Sequence, residues 1–238
     1  SKQLSLVYDK PLVFYPLTTL ILAGITEVLV ICRERDLESF RFLLGDGSQF
    51  GISIDFAIQS EPKGIAEAPI IAQEFTREED FTLVLGDNIF FGPGFGRSLA
   101  GRLDYPRSLV FGIQHPEPHR FGVVHLSSDG TPKMIEEKPV THVGSPLVIP
   151  GLYKLDGSAA ERARKITPSA RGELEIVDLL ISYLNDGALE VQSSERGSIW
   201  FDTGTPESLH DAATMVRLFQ ENQGVTFGSP IEAAAIMG

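Results

Sequence analysis

The sequence has a single cysteine, a single tryptophan and three methionines in 238 residues. One thiol cannot build an intrachain disulfide framework, and it suits a reducing compartment. Cys32 closes the apolar run Val28-Leu29-Val30-Ile31-Cys32, which reads as a buried structural thiol and not as a nucleophile. Positive charge is scarce too: 20 Lys and Arg stand against 32 Asp and Glu, a formal net charge of -12. That balance argues against binding of nucleic-acid polymers, which leaves a basic footprint. Nucleotide substrates stay open, because local cations or a bound metal can hold phosphate inside an acidic protein. No apolar run is long enough to span a bilayer, and no signal-like start is present. The expectation is a cytoplasmic protein without a membrane partner. Repeats and linkers are missing as well, so residues 1–238 read as one domain with irregular insertions. With 42% hydrophobic and 22% charged residues, the chain can bury an ordinary core.

What is there alternates between helical and strand signals, the pattern of a mainly parallel α/β sheet flanked by helices. Helices are expected over 11–23, 35–44, 64–75, 158–166 and 173–185. Another starts at the Thr205-Pro206 cap and ends near Gly224. Strands are expected over 27–32, 52–58, 81–85, 108–114, 122–127, 133–137 and 146–155. Ser128-Asp129-Gly130 reads as a hairpin turn. The tail after Gly224 carries weak signals.

Several of these elements end in chemistry-bearing residues. Leu85-Gly86-Asp87-Asn88 follows an apolar strand, and open α/β sheets bind ligands beyond the carboxyl ends of their strands. A carboxylate there can hold Mg²⁺ against a triphosphate; it can equally cap a turn. Glu136-Glu137-Lys138-Pro139 offers grips for sugar hydroxyls and a phosphate, or a solvated charge cluster. In Phe201-Asp202-Thr203-Gly204-Thr205, Asp202 stands just before a helix N-terminus, a neighbourhood for anions and metals as well as a plain capping turn. Trp200 beside it suits core or a pocket wall. In His115-Pro116-Glu117-Pro118-His119 the prolines prevent the helix that a zinc pair at this spacing needs, leaving a loop.

Taken in order, the segments Ser1-Lys2-Gln3-Leu4, Tyr8-Asp9-Lys10-Pro11, Leu44-Gly45-Asp46-Gly47-Ser48, Leu85-Gly86-Asp87-Asn88, Phe121-Gly122-Val123, Glu136-Glu137-Lys138-Pro139, Gly151-Leu152-Tyr153, Arg171-Gly172-Glu173-Leu174-Glu175 and Trp200-Phe201-Asp202-Thr203-Gly204-Thr205 closely resemble the bacterial glucose-1-phosphate thymidylyltransferases. The resemblance runs across nearly the whole chain. It implies a Rossmann-like nucleotidyltransferase sheet with a small sugar-binding β insertion, in an enzyme assembled as a homotetramer. Such an enzyme joins dTTP and glucose 1-phosphate into dTDP-glucose and pyrophosphate. By the same resemblance Asp87 and Asp202 hold Mg²⁺, while Lys2 and Gln3 lie near the triphosphate, with Gly64, Glu67 and Gly86 on the nucleotide. Phe121, Gly122, Glu137, Gly151, Tyr153, Arg171 and Glu173 line the sugar phosphate pocket. Lys138 sits on the sugar phosphate and shares the catalytic role with Lys2.

Three departures qualify the resemblance. The family opens with a strand and a loop of the type G-G-x-G-T-R-L, which has no counterpart here. Loss of that strand would leave two unpaired edges, at a cost beyond the roughly 5–15 kcal/mol that stabilises a domain. The expectation is therefore a sequence missing its beginning; the alternative is a non-catalytic nucleotide- or sugar-binding homologue. Second, Gly64-Ile65-Ala66-Glu67-Ala68 has Glu where the family has a Gln that reads the pyrimidine. An ionised Glu only accepts hydrogen bonds, so it opposes thymine O4 and suits the cytosine amine, which opens CTP or UTP as substrates. Third, Phe121 replaces a Tyr, removing a hydroxyl worth about 0.5–1.5 kcal/mol if it was hydrogen-bonded.

Overall fold

A computed structural model describes residues 1–92, 95–140, 144 and 146–238. Contacts divide the chain into two compact units, and the backbone passes back and forth between them. The first comprises residues 1–56, 84–102 and 197–238, and the second residues 57–83 and 103–196.

In the first unit the strands Glu27–Cys32 and Ser53–Ile58 pair with each other, joined through the helix Glu34–Leu44. The helix Phe14–Leu22 buries Leu17, Leu20 and Ile21 in a cluster with Val28, Phe40, Leu44, Phe50 and Ala233. Cys32 lies in this cluster at 8% exposure. Burial, with the Asp36 carboxylate nearby, raises its thiol pKa against the opposing pull of Arg41. The helix expected over 11–23 starts later, at Phe14. Pro11 instead pairs with Leu6 in a short hairpin, Leu6–Val7 against Lys10–Pro11, an edge position where a missing N–H costs little. Pro16 is tolerated because it falls in the first helical turn.

The helix Pro206–Gln223 begins where the sequence places it. Thr205 Oγ1 accepts from the Ser208 amide at 3.1 Å and the Ser208 hydroxyl accepts from the Thr205 amide at 3.1 Å, closing a capping box. Gly224 ends it in the left-handed region. The weak tail forms a further helix, Pro230–Met237, capped by Ser229. Its alanine-rich run has little amphipathic contrast, and burial of Ala233 against the first helix fixes it.

The second unit holds a four-stranded sheet in the order Leu189–Ser193, Ser108–Gly112, Leu152–Leu155 and Phe81–Val84. The first pair runs parallel and Leu152–Leu155 antiparallel to Ser108–Gly112. The helices Ala159–Arg164 and Ile176–Asn185 contribute Ala159, Ala163, Val177, Leu179, Leu180 and Tyr183 to its core. A three-stranded antiparallel sheet, Leu147–Val148, Gly122–Leu126 and Pro132–Glu137, forms the expected β insertion. Two expected elements are broken. Residues 146–155 form two strands, because Pro150 and Gly151 interrupt the ladder between them. Residues 64–75 form a 3₁₀ turn, Ile65–Glu67, and two single-turn helices, Ala68–Ile71 and Gln73–Thr76. Among the described residues no helix is long and apolar enough to cross a membrane.

Lys154 is buried in this unit at 1% exposure, and its ammonium donates to the Asp80 carboxylate and the Tyr105 carbonyl. A buried ammonium is tolerated only when paired in this way. Lys154→Met keeps the volume and removes the ammonium that donates to the Tyr105 carbonyl and to the half-exposed Asp80 carboxylate. We expect urea unfolding to report a loss of about 2–3 kcal/mol; a loss within about 0.5 kcal/mol would show the ion to be dispensable.

Candidate active site

In the first unit the strand Ile89–Phe91 pairs antiparallel with Ile199–Phe201, with Phe201 opposite Ile89. This register brings the ends of two motifs together. Thr203 Oγ1 donates to the Asp87 carbonyl at 2.6 Å, and the Lys2 ammonium donates to the Thr203 carbonyl at 3.1 Å. Lys2 Nζ also meets Asp87 Oδ2 at 2.7 Å, closing a circuit of three residues. Lys2 and Asp87 keep 37% and 27% of their side-chain surface, so the pair is open to a ligand. Asp202 lies between Phe201 and Thr203, and its Oδ1 accepts from the Gly204 amide at 3.3 Å. Thr203 is 1% exposed and holds φ at 42°. A β-branched residue in the left-handed region costs about 1–3 kcal/mol and persists only where its surroundings fix it. The aliphatic part of Gln3 packs on Gly86: a Cβ there would stand 3.2 Å from Gln3 Cγ.

The sequence-named residues Lys2, Gln3, Gly86, Asp87 and Asp202 thus gather in one unit. Sequence reasoning missed Thr203 as part of the circuit and left Trp200 as core or wall. Asn88 also joins, donating from Nδ2 to Asp87 Oδ1 at 2.9 Å. The signal for Asn88 and Thr203 was their place inside the two motifs.

The second unit carries the other set. Gly122 stands opposite Glu137 in the ladder. A Cβ at Gly122 would come within 2.7 Å of the Val177 side chain, so glycine here admits the close packing of Val177, with Glu137 Oε2 in ordinary contact at 3.4 Å. Lys138 is held at φ 46°, its backbone N–H donates to the Phe121 carbonyl at 3.0 Å, and its ammonium lies 3.2 Å from Glu137. The Phe121 ring is flanked by the Arg120 guanidinium at 5.2 Å and by His115, edge-on at 5.0 Å. Arg171 reaches Glu173 at 3.7 Å and Glu175 at 2.9 Å. Tyr153 goes elsewhere: at 3% exposure its side chain belongs to the core cluster. Gly151 is buried beside it at the break between strands.

Glu67 ends the 3₁₀ turn Ile65–Glu67 of this unit, and Gly64 precedes it as the N-cap. Gly64 has φ 98°, and a Cβ on it would collide with the Leu174 carbonyl at 2.3 Å. Gln59 Nε2 donates to Glu67 Oε2 at 2.7 Å and to the Gly64 carbonyl at 3.2 Å, a clamp that sequence reasoning did not anticipate.

Glu175 closes the Arg171-Gly172-Glu173-Leu174-Glu175 segment. Burial pushes its carboxyl pKa up, yet hydrogen bonds from Ser169 and Arg171 and the charges of Arg171 and Lys138 together hold it below the ordinary 4.5. A carboxyl depressed on folding contributes stability that is present in full above the ordinary value and is lost as pH falls through the folded one. Acid-unfolding profiles below pH 4.5 are therefore expected to fall less steeply for Glu175→Gln than for the unaltered chain. Identical slopes would remove Glu175 as a source of the acid limb.

The sequence matches the Nucleotidyl transferase family over residues 1–217. It is 46% identical over 234 residues to a glucose-1-phosphate thymidylyltransferase of Mycolicibacterium smegmatis, covering 98% of this chain and 81% of the relative. To the enzyme of that name from Neisseria meningitidis it is 49% identical over 226 residues, covering 94% of this chain and 78% of the relative. Among solved structures, a Bacillus anthracis protein assigned as a glucose-1-phosphate thymidylyltransferase, in complex with sucrose, superposes with a TM-score of 0.84 at 28% identity. That match covers 97% of this chain and 90% of the other. A UDP-glucose pyrophosphorylase bound to UDP-glucose shares the fold with a TM-score of 0.79 at 19% identity, covering 91% of this chain and 90% of the other. By sequence and by fold, the chain belongs to the nucleotidyl transferase family.

Proposed function

We propose that the chain transfers a thymidylyl group from dTTP to glucose 1-phosphate, giving dTDP-glucose and pyrophosphate. The observation that carries this reading is the joining of Asp87, Lys2 and the Asp202-Thr203 turn at the end of one strand pair. A sugar phosphate oxygen attacks the α-phosphorus, a new P–O bond forms, and the bond to the β-phosphate bridge breaks as pyrophosphate leaves. No protein nucleophile is required, so the work is positioning and charge stabilisation.

The donor set suits Mg²⁺. Among the described residues no group of three or more His, Cys, Asp and Glu is gathered. Mg²⁺ needs no such cage, since one or two carboxylates plus substrate phosphates and water complete its shell. Asp87 and Asp202 would supply those carboxylates. When bound, the cation neutralises charge on the triphosphate. Lys2 places a second positive charge beside Asp87, and Gln3 and Gly86 line the approach of the nucleotide. Lys138 and Arg171 carry the charge for the sugar phosphate, while Glu137 and Glu173 accept from sugar hydroxyls. Gly122 and Gly151 keep backbone close to the sugar, with Phe121 beside it and Tyr153 supporting the wall from the core.

The test is product formation by the full-length gene product from dTTP, glucose 1-phosphate and Mg²⁺. Asp87→Asn is expected to lower kcat/KM by about 100-fold or more, with its unfolding midpoint retained. No dTDP-glucose from the unaltered protein would favour the non-catalytic homologue.

The Gln59–Glu67 clamp supports a narrower reading of base preference. Glu67 brings acceptors only, and Gln59 already engages one of its oxygens. Such a group accepts from a cytosine amine more readily than it faces thymine O4. Competition between dTTP and CTP is expected to shift toward dTTP in Glu67→Gln. An unchanged ratio, with dTTP preferred by both proteins, would sink this second reading.

A further inference from the structure

The only tryptophan of the chain is bonded into the acidic site, although it makes the surface of none. Trp200 is 8% exposed and Asn88 2% exposed. The Trp200 indole N–H donates to Asn88 Oδ1 at 2.6 Å, and Asn88 Nδ2 donates to Asp87 Oδ1 at 2.9 Å. An indole nitrogen is a donor only. It therefore decides which end of the Asn88 carboxamide faces Trp200, and the NH₂ group is left to face Asp87. The NH₂ in turn requires an acceptor, and Asp87 Oδ1 supplies it. Oδ2 is left on the side where it meets the Lys2 ammonium at 2.7 Å. Meanwhile Thr203 pins the backbone carbonyl of the same residue at 2.6 Å.

We infer that Trp200 is a positioning residue. Through Asn88 it fixes the rotation of the Asp87 carboxylate, so that Oδ1 is engaged by the amide and Oδ2 is aimed at cationic partners. This rests on the proposed function, in which Asp87 holds a divalent cation against a triphosphate. A tryptophan that merely fills the core acts through its ring volume. Here the N–H is the active part, because it anchors the Asn88 oxygen and so holds the Asn88 NH₂ in place against Asp87 Oδ1. Groups that orient metal-binding side chains in this way are typically worth about 10–100-fold in metal affinity.

The experiment titrates Mn²⁺ by electron paramagnetic resonance into the full-length gene product with dTTP, beside steady-state kinetics and thermal unfolding. Because position 200 is the single tryptophan of this chain, replacement throughout the protein by an indole analogue alters it without a second change in this segment. A benzothiophene analogue keeps the shape and lacks the N–H; 4-fluorotryptophan keeps both. We expect the benzothiophene protein and Trp200→Phe to bind Mn²⁺ about tenfold more weakly, with KM for glucose 1-phosphate unchanged. The fluorinated protein should match the unaltered one. Equal Mn²⁺ affinity in all four would overturn the inference, as would equal losses in the fluorinated and benzothiophene proteins. If Trp200→Phe does not fold, Asn88→Ser removes the same link and must show the same loss. An unaltered protein that makes no dTDP-glucose, yet binds Mn²⁺ more weakly once the N–H is lost, would retire the proposed reaction and leave the positioning role standing. An unaltered protein that binds no Mn²⁺ with dTTP would overturn both.

Discussion

Three residue pairs, Ile199 with Phe91, Trp200 with Phe90 and Phe201 with Ile89, carry the acidic site. They join segments that the chain separates by more than a hundred positions, and everything at Asp87 and Asp202 follows from their register. Side chains alternate along a strand, so a slip of one residue would turn every side chain to the other face. Trp200 would leave Asn88, and Thr203 would no longer reach the Asp87 carbonyl. The ladder is short, and it is reinforced at its end by side-chain bonds from Trp200 and Thr203. Strain at Thr203 is thereby held in place by the contacts it makes on both sides.

A chain with net charge -12 still places cations within its clusters of carboxylates. Lys2 stands at Asp87, and Lys138 and Arg171 stand among Glu137, Glu173 and Glu175. In each place the cation is flanked by carboxylates, which hold it in position and hold its charge. Local arrangement outweighs the sum, because screening confines these fields to about 10 Å at ordinary ionic strength. The acidic excess elsewhere serves solubility and self-repulsion, and leaves the substrate chemistry alone.

Much of the fold was legible in the pattern of the residues. The strand Glu27–Cys32 falls where an apolar run bounded by turns places it, and the helix Pro206–Gln223 is fixed by its Thr-Pro start and Gly stop. Breaks within elements were not legible. Residues 64–75 have helical composition, but the close approach of Gly64 to the Leu174 backbone fixes a 3₁₀ turn there, and that contact joins positions far apart in sequence. Among the candidate site residues, motif membership singled out Asp87, Asp202, Glu137 and Lys138. Partners set by the course of a loop, such as Gln59 for Glu67 and Ser169 for Glu175, carry no periodic signature. Tyr153, which the motif also named, lies on a strand buried on both faces, and its ring belongs to the core cluster.

The solitary tryptophan gives this protein a built-in optical reporter. Indole absorption at the red edge of the ultraviolet has one source in this chain, and that source is hydrogen-bonded to the neighbour of Asp87. Emission from a buried ring responds to the polarity and charge of its immediate surroundings, so a change at the strand end is written directly into the spectrum. No label has to be introduced, and no second indole of the chain blurs the signal. A ligand held at Asp87 would sit two hydrogen bonds from that ring, and its arrival is expected to register in the emission of Trp200.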